Sequence, residues 1–286
     1  MKSKPAALLL LALIAVMWSS SGVLVKMVDC PPMALASARA LVAAITMSFL
    51  LPGGFKPREL GKVHWMAGFC LAALSIFFVA GMKLTAAANL IVLQYTAPIW
   101  VAIIAPFMLR ERTSGRDWLV MAVIFGGIVL FFLDGLSARG VWGNIFGILS
   151  GFFFGLQAML LRRLRDANPA NAMILGNILC FLVGAPFLLF SWPSFYGWLG
   201  ILALGVFQLG LPYYLLTLCV NKVSSLEMVL VTMVEPILCP IWVYLFLGEA
   251  PGRYAFLGGV VVITSVTLWS VLKALDERKL MGSPAS

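Results

Sequence analysis

The chain has 286 residues, 62% of them hydrophobic and only 11% charged, with a mean hydropathy of +1.04. Soluble domains carry about 25% charged residues, so this composition excludes a soluble globular protein and leaves little chain for an extramembrane domain. The net charge of +9 would suggest a nucleic-acid partner in a soluble protein; here the basic residues lie between apolar runs, where they orient a membrane protein, and no nucleic acid is expected.

Ten apolar segments follow in chain order, at about 6–28, 32–51, 64–82, 86–109, 117–134, 142–161, 171–191, 196–219, 225–247 and 254–272. Each is near the roughly 20 residues that a bilayer-crossing helix needs. The first, behind Lys2 and Lys4, imitates a secretory signal. Its apolar run continues past Ser19–Ser21 to Val28, and Trp18 interrupts any small-residue cleavage site, so it is read as a retained helix. With the N-terminus in the cytoplasm, fifteen Lys and Arg fall on that side, against Lys26, Lys83, Arg139 and Arg253 on the other. That bias puts both termini in the cytoplasm, with 276–286 as a polar tail. The five cysteines are scattered, without metal-ligand spacing, and read as buried apolar thiols.

The chain also repeats itself. Thr85, Pro98 and Glu111 match Val223, Pro236 and Glu249, each pair 138 positions apart with apolar helix between. Trp18-Ser19 and Lys26 run parallel to Phe154-Gly155 and Arg162. The expectation is an all-α integral membrane protein of ten transmembrane helices in two five-helix repeats, residues 1–138 and 139–275. An odd number of spans per repeat inverts the second copy, an arrangement that places substrate near the midplane between the halves of transporters.

These pieces resemble the drug/metabolite transporter superfamily, in particular its EamA-type family. The resemblance rests on Trp18-Ser19-Ser20, Arg39, Thr85-Ala86-Ala87, Pro98, Glu111, Ser224-Ser225, Glu235-Pro236 and Leu247-Gly248-Glu249. It implies a ten-helix bundle whose cavity is lined by spans 1, 3, 4, 6, 8 and 9, with spans 5 and 10 peripheral. Family members resembling this chain export amino acids, nucleosides, other metabolites or cationic drugs, and some import metabolites.

Glu235 leads the candidate site residues. A charge at bilayer depth costs roughly 2.5 to 3.5 kcal/mol on insertion scales and so faces a bundle interior or wet cavity. It either binds a substrate ammonium, takes a proton in an antiport cycle, or is a structural carboxylate neutralised by Arg39 or backbone amides. Arg39 either grips a substrate carboxylate bidentately, pairs with Glu235, or ties loop ends; span 2 is not expected to line the cavity. Pro98 and Pro236 are candidate hinges, because proline removes an amide and frees the carbonyl four residues back. For Pro236 that carbonyl is Thr232's. Trp18, Phe78, Tyr95, Trp100, Phe154, Tyr213, Tyr214 and Trp242, with Asn89, Gln94, Gln157, Asn177 and Gln208, can form an apolar, hydrogen-bonding substrate pocket whose rings also suit cations. Glu249 is expected to cap a loop or pair with Arg253, and His64 to sit at a helix end. Gly143, Gly147, Gly151 and Gly155 recur every four residues and make a smooth strip for helix packing.

No Walker loop, metal cluster or nucleophile triad stands in the sequence, so no cofactor, metal or catalytic residue is expected. Transport would then draw on an ion gradient or on the substrate's own. The expected function is secondary active transport by a monomer in the bacterial inner membrane, exporting amino acids or related metabolites. Proton-coupled efflux of organic cations is the alternative. A membrane-embedded transferase is the reading from another class, and short loops leave it no room for a catalytic constellation.

Overall fold

The computed structural model describes residues 4–97, 99–101, 103–104, 115–134, 138–164, 167–219, 232 and 234–282. Pro98, Glu111, Arg162's side chain and the segment 220–231 lie outside the described residues. The described chain is helical, without strands: α1 Lys4–Ser19, α2 Ser21–Met27, α3 Pro32–Leu50, α4 Lys62–Leu84, α5 Ala87–Gln94, α6 Gly115–Asp134 and α7 Ala138–Arg163. There follow α8 Pro169–Phe190, α9 Phe195–Ala203, a π-helical segment Leu204–Gly210, α10 Leu211–Cys219, α11 Val234–Leu247 and α12 Arg253–Gly282. Among the described residues six helical stretches are long and apolar enough to span a bilayer, and shorter apolar helices accompany them. Large apolar side chains cover the outside: Phe190 is 89% exposed and Phe49 86%. A soluble surface does not tolerate contiguous patches of that kind; lipid does. The protein is a multi-pass membrane protein.

Local chemistry sets the helix ends. Pro32 and Pro169 stand in the first turns of α3 and α8, where the missing N–H is not needed. Ser194 Oγ accepts from Gly197 N–H at 3.1 Å and caps α9. Gly248, at φ 68°, follows α11, the left-handed position that ends many helices. The span expected at 6–28 is interrupted at Ser20. There Ser19 and Ser20 donate to the carbonyls of Val16 and Met17 at 2.7 and 2.6 Å, and such back-bonding bends a helix.

Packing is closest where small residues allow it. The glycine strip of α7 lies along the end of α4 and along α5: a Cβ on Gly143 would meet Thr85 Cβ at 2.6 Å, and one on Gly151 would meet the Gln94 carbonyl at 2.8 Å. The strip is therefore an intramolecular seam. α3 packs on α8 and the π segment, α4 on α7 and α8, and α11 on α1, α2 and α5. α6 and α12 pack chiefly on each other. All five cysteines are buried.

Two polar ties close opposite ends of the bundle. Lys26 Nζ is bonded to Glu249 Oε2 and donates to Thr85 O at 3.2 Å, while Glu249 Oε1 accepts from Ala87 N–H at 2.8 Å. Glu249 thus caps α5, where an acidic group also meets the positive end of the helix dipole. Its partner is Lys26, not the expected Arg253. At the other end, Asn171 donates to Glu59 at 3.3 Å and accepts from Lys56 N–H at 3.2 Å. His64 is buried there; Nδ1 accepts from Gly61 N–H at 3.2 Å, so Nε2 donates to Ala167 O at 2.8 Å.

Candidate functional site

One cavity sits inside the bundle, lined by Trp18, Arg39, Leu74, Ser75, Phe78, Gln94, Tyr95, Phe154, Gln208, Leu209, Tyr213 and Glu235. Its water-accessible room is about 50 Å³. One water needs roughly 10–15 Å³ measured in this way, so the chamber admits a few waters in this conformation. The wall draws on α1, α3, α4, α5, α7, the π segment, α10 and α11. Neither α6 nor α12 reaches it.

Glu235 is 6% exposed and occupies the first turn of α11 as described. Tyr95 Oη lies 2.8 Å from Glu235 Oε2 and 3.0 Å from Thr232 O. Thr232 O is the carbonyl that Pro236 releases, so the tyrosine on α5's C-terminal side engages both the carboxyl and the backbone beside it. A hydroxyl has one proton. When Glu235 is ionised, the phenol donates to it; when Glu235 carries a proton, it can donate to the phenol, which then donates to Thr232 O.

Arg39 holds the facing chemistry. It is 1% exposed, donates through Nη1 to Gln208 Oε1 at 3.3 Å and through Nη2 to Ser75 Oγ at 2.9 Å and Ser75 O at 3.4 Å. Its guanidinium stands 5.5 Å from the centre of the Phe78 ring, a cation–π distance. Its Nε has no acceptor among the described residues. One alternative is removed and one expectation corrected. Arg39 and Glu235 do not form an ion pair, because α4 and the π segment hold the one while α5 holds the other. Span 2 does line the cavity, through this arginine.

The π segment explains how Gln208 comes to Arg39. An extra residue per turn shifts the register of the helix face, and π-bulges recur at functional sites. Gly205 lets the segment approach α3 closely, with Val42 and the Arg39 carbonyl against its Cα. Periodicity read at 3.6 residues per turn misses this, and only the Gly205 and Gly210 spacing hints at it.

Of the expected pocket residues, Trp18, Phe78, Gln94, Tyr95, Phe154, Gln208, Tyr213 and Glu235 meet at the cavity. Trp18 and Tyr213 are in edge contact, 5.9 Å between rings. Asn89, Trp100, Gln157, Asn177, Tyr214 and Trp242 lie outside its wall. Asn89 and Gln157 are buried, and Trp100 packs its ring on Phe152 at 5.4 Å. Pro236 borders the site through Thr232 O; Pro98 is outside the described residues. Leu74, Ser75 and Leu209 join the wall without a sequence signal, since a serine or leucine within an apolar helix carries none of its own. Among the described residues no three His, Cys, Asp or Glu side chains gather as a metal site would require.

A multi-pass helical bundle with a small internal chamber lined by one cation and one carboxyl fits a membrane transporter. The chain belongs to the EamA-like transporter family, whose model matches it twice, over 5–133 and 141–271. It is 28% identical to an uncharacterized transporter of Archaeoglobus fulgidus over 91% of this chain and 96% of the relative. It is 21% identical to the uncharacterized transporter YxxF of Bacillus subtilis over 93% and 90%. A crystal structure superposes with TM-score 0.68 over 94% of this chain and 99% of that one, at 17% identity, a likeness of fold alone.

Proposed function

We propose that the protein is a secondary active carrier that moves small metabolites, amino acids or related compounds, outward across the bacterial inner membrane. In this reading ten spans form two inverted repeats, both termini are cytoplasmic, the monomer is the working unit, and the halves rock about the cavity. The 138-residue spacing of Pro98 and Glu111 to Pro236 and Glu249 and the double family match support the repeat. The observation that carries the function is the charged chamber: Arg39 and Glu235, both buried, line one cavity inside the bundle. Buried charges in membrane proteins mark substrate or ion paths. Purified protein in liposomes tests it by counterflow with radiolabelled amino acids, nucleosides and quaternary amines. Saturable counterflow with amino acids is expected; non-saturable leakage would make it a channel and refute the proposal.

The Tyr95 arrangement favours a second reading, proton-coupled efflux of organic cations. The two hydrogen-bond patterns of Glu235, Tyr95 and Thr232 link a proton on the carboxyl to the backbone at Pro236, where a hinge would act. Under this reading Glu235→Gln abolishes uptake of a cationic dye into inverted vesicles. Unchanged uptake removes the proton role.

A further inference from the structure

We propose that Arg39 receives the carboxylate of the transported molecule, which makes the substrate a small zwitterion whose ammonium end faces Glu235. The inference rests on the carrier reading and gives its cavity a chemistry. Arg39 is 1% exposed, and its partners among the described residues are neutral: the amide oxygen of Gln208, the hydroxyl and carbonyl of Ser75 and the face of Phe78. Guanidinium has five N–H donors in a rigid fork. Among the described residues the buried Nε–H finds no acceptor, and no carboxylate forms an ion pair with the guanidinium. A buried cation is compensated poorly by neutral dipoles alone, and the arginine fork matches a carboxylate in shape and charge. A guanidinium buried among neutral partners with a spare donor is suited to receive a carboxylate.

Glu235 fixes the other end. It lines the same cavity, yet the two charges are held by separate helices and do not neutralise one another. A purely cationic ligand would meet Arg39, and a dianion would meet Glu235. A molecule bearing one charge of each sign satisfies both. The Lys26–Glu249 tie is not suited in this way, because each of its charged groups already has its partner.

Thermal stabilisation of the purified full-length protein reads binding directly. The probes are the twenty amino acids and, for each, its amide and its decarboxylated amine. Amino acids are expected to raise the melting temperature, with apparent affinities at least tenfold above those of the matched amide and amine. Arg39→Gln also removes a tie between α3 and α4, so Gln208→Glu carries the test. That substitution sets a carboxylate oxygen where Oε1 now stands, 3.3 Å from Nη1, and neutralises Arg39 from within. It should weaken amino-acid binding at least tenfold while leaving the unliganded protein as stable or more so. Amides or amines binding as well as the acids, no response to any amino acid, or unchanged amino-acid affinity in Gln208→Glu would each overturn the assignment. Counterflow separates this from the carrier reading. Flux of amines or nucleosides without a carboxylate requirement keeps the carrier and sinks Arg39; carboxylate-dependent stabilisation without any counterflow does the reverse.

Discussion

Gly205→Ala tests whether the seam between α3 and the π segment sets the geometry of the site. A Cβ at Gly205 would run into Val42 Cβ, would stand 2.5 Å from Val42 Cγ1, and would stand 2.9 Å from the Arg39 carbonyl oxygen. None of these can yield cheaply. Valine has one strongly preferred rotamer in a helix, and the carbonyl is backbone. Overpacking of this kind costs about 1–3 kcal/mol. As the seam opens, the 3.3 Å bond from Arg39 to Gln208, already near the outer limit of a hydrogen bond, is lost at about 1 kcal/mol. Alanine's better helix propensity returns up to about 1 kcal/mol. The net destabilisation is about 2 kcal/mol, roughly 4–8 °C in Tm by the scaling of domains of this size. Tryptophan fluorescence during heating of the detergent-purified protein measures it. Gly126→Ala is the control: nothing lies within 4 Å of a Cβ there, so it should melt at or above the wild type. If Gly205→Ala melts no lower than Gly126→Ala, the seam is not tight and the positioning argument fails.

Tyr95→Phe removes the hydroxyl from both Glu235 and Thr232 O; leaving a buried acceptor short of a donor costs about 1–3 kcal/mol, read as a lower Tm, and counterflow should fall at least fivefold. Wild-type flux in this variant would show that the tyrosine does not position the carboxyl. Glu249→Gln keeps an oxygen for Ala87 N–H and weakens only the partly buried ion pair to Lys26, a loss of about 1 kcal/mol. Glu249→Ala also uncaps α5 and should cost about 1 kcal/mol more; equal melting temperatures for the two would show that the cap contributes nothing. Gly151→Val drives a branched side chain into the Gln94 and Leu93 carbonyls, 2.8 and 2.9 Å from the Cβ position, and should abolish accumulation of folded protein, measured by size-exclusion fluorescence. A monodisperse, normally expressed variant would mean that α7 does not lie against α5.

Patterns that depend on solvent were readable from the chain itself. A bilayer demands about 20 apolar residues per crossing and forbids stray charges, so the helical membrane class, the packing role of the α7 glycines and the burial of Glu235 followed from one-dimensional order. Most of the cavity's aromatic and carboxyl residues followed too, because polar or ring-bearing groups stand out against an apolar background. What depended on which helix meets which did not. Arg39 belonged to a span with no stated place at the cavity, and the choice among Glu235, Gln208 and Ser75 as its partner is one of position in three dimensions. The π segment shifts Gln208 by a change in helical register, and Glu249 reaches a lysine 223 positions away in place of an arginine four positions on. Asn89, Trp100, Gln157 and Tyr214 have the composition of pocket residues but lie outside the wall, since composition fixes what a side chain can bond and only the packed helices fix what stands within 3 Å of it.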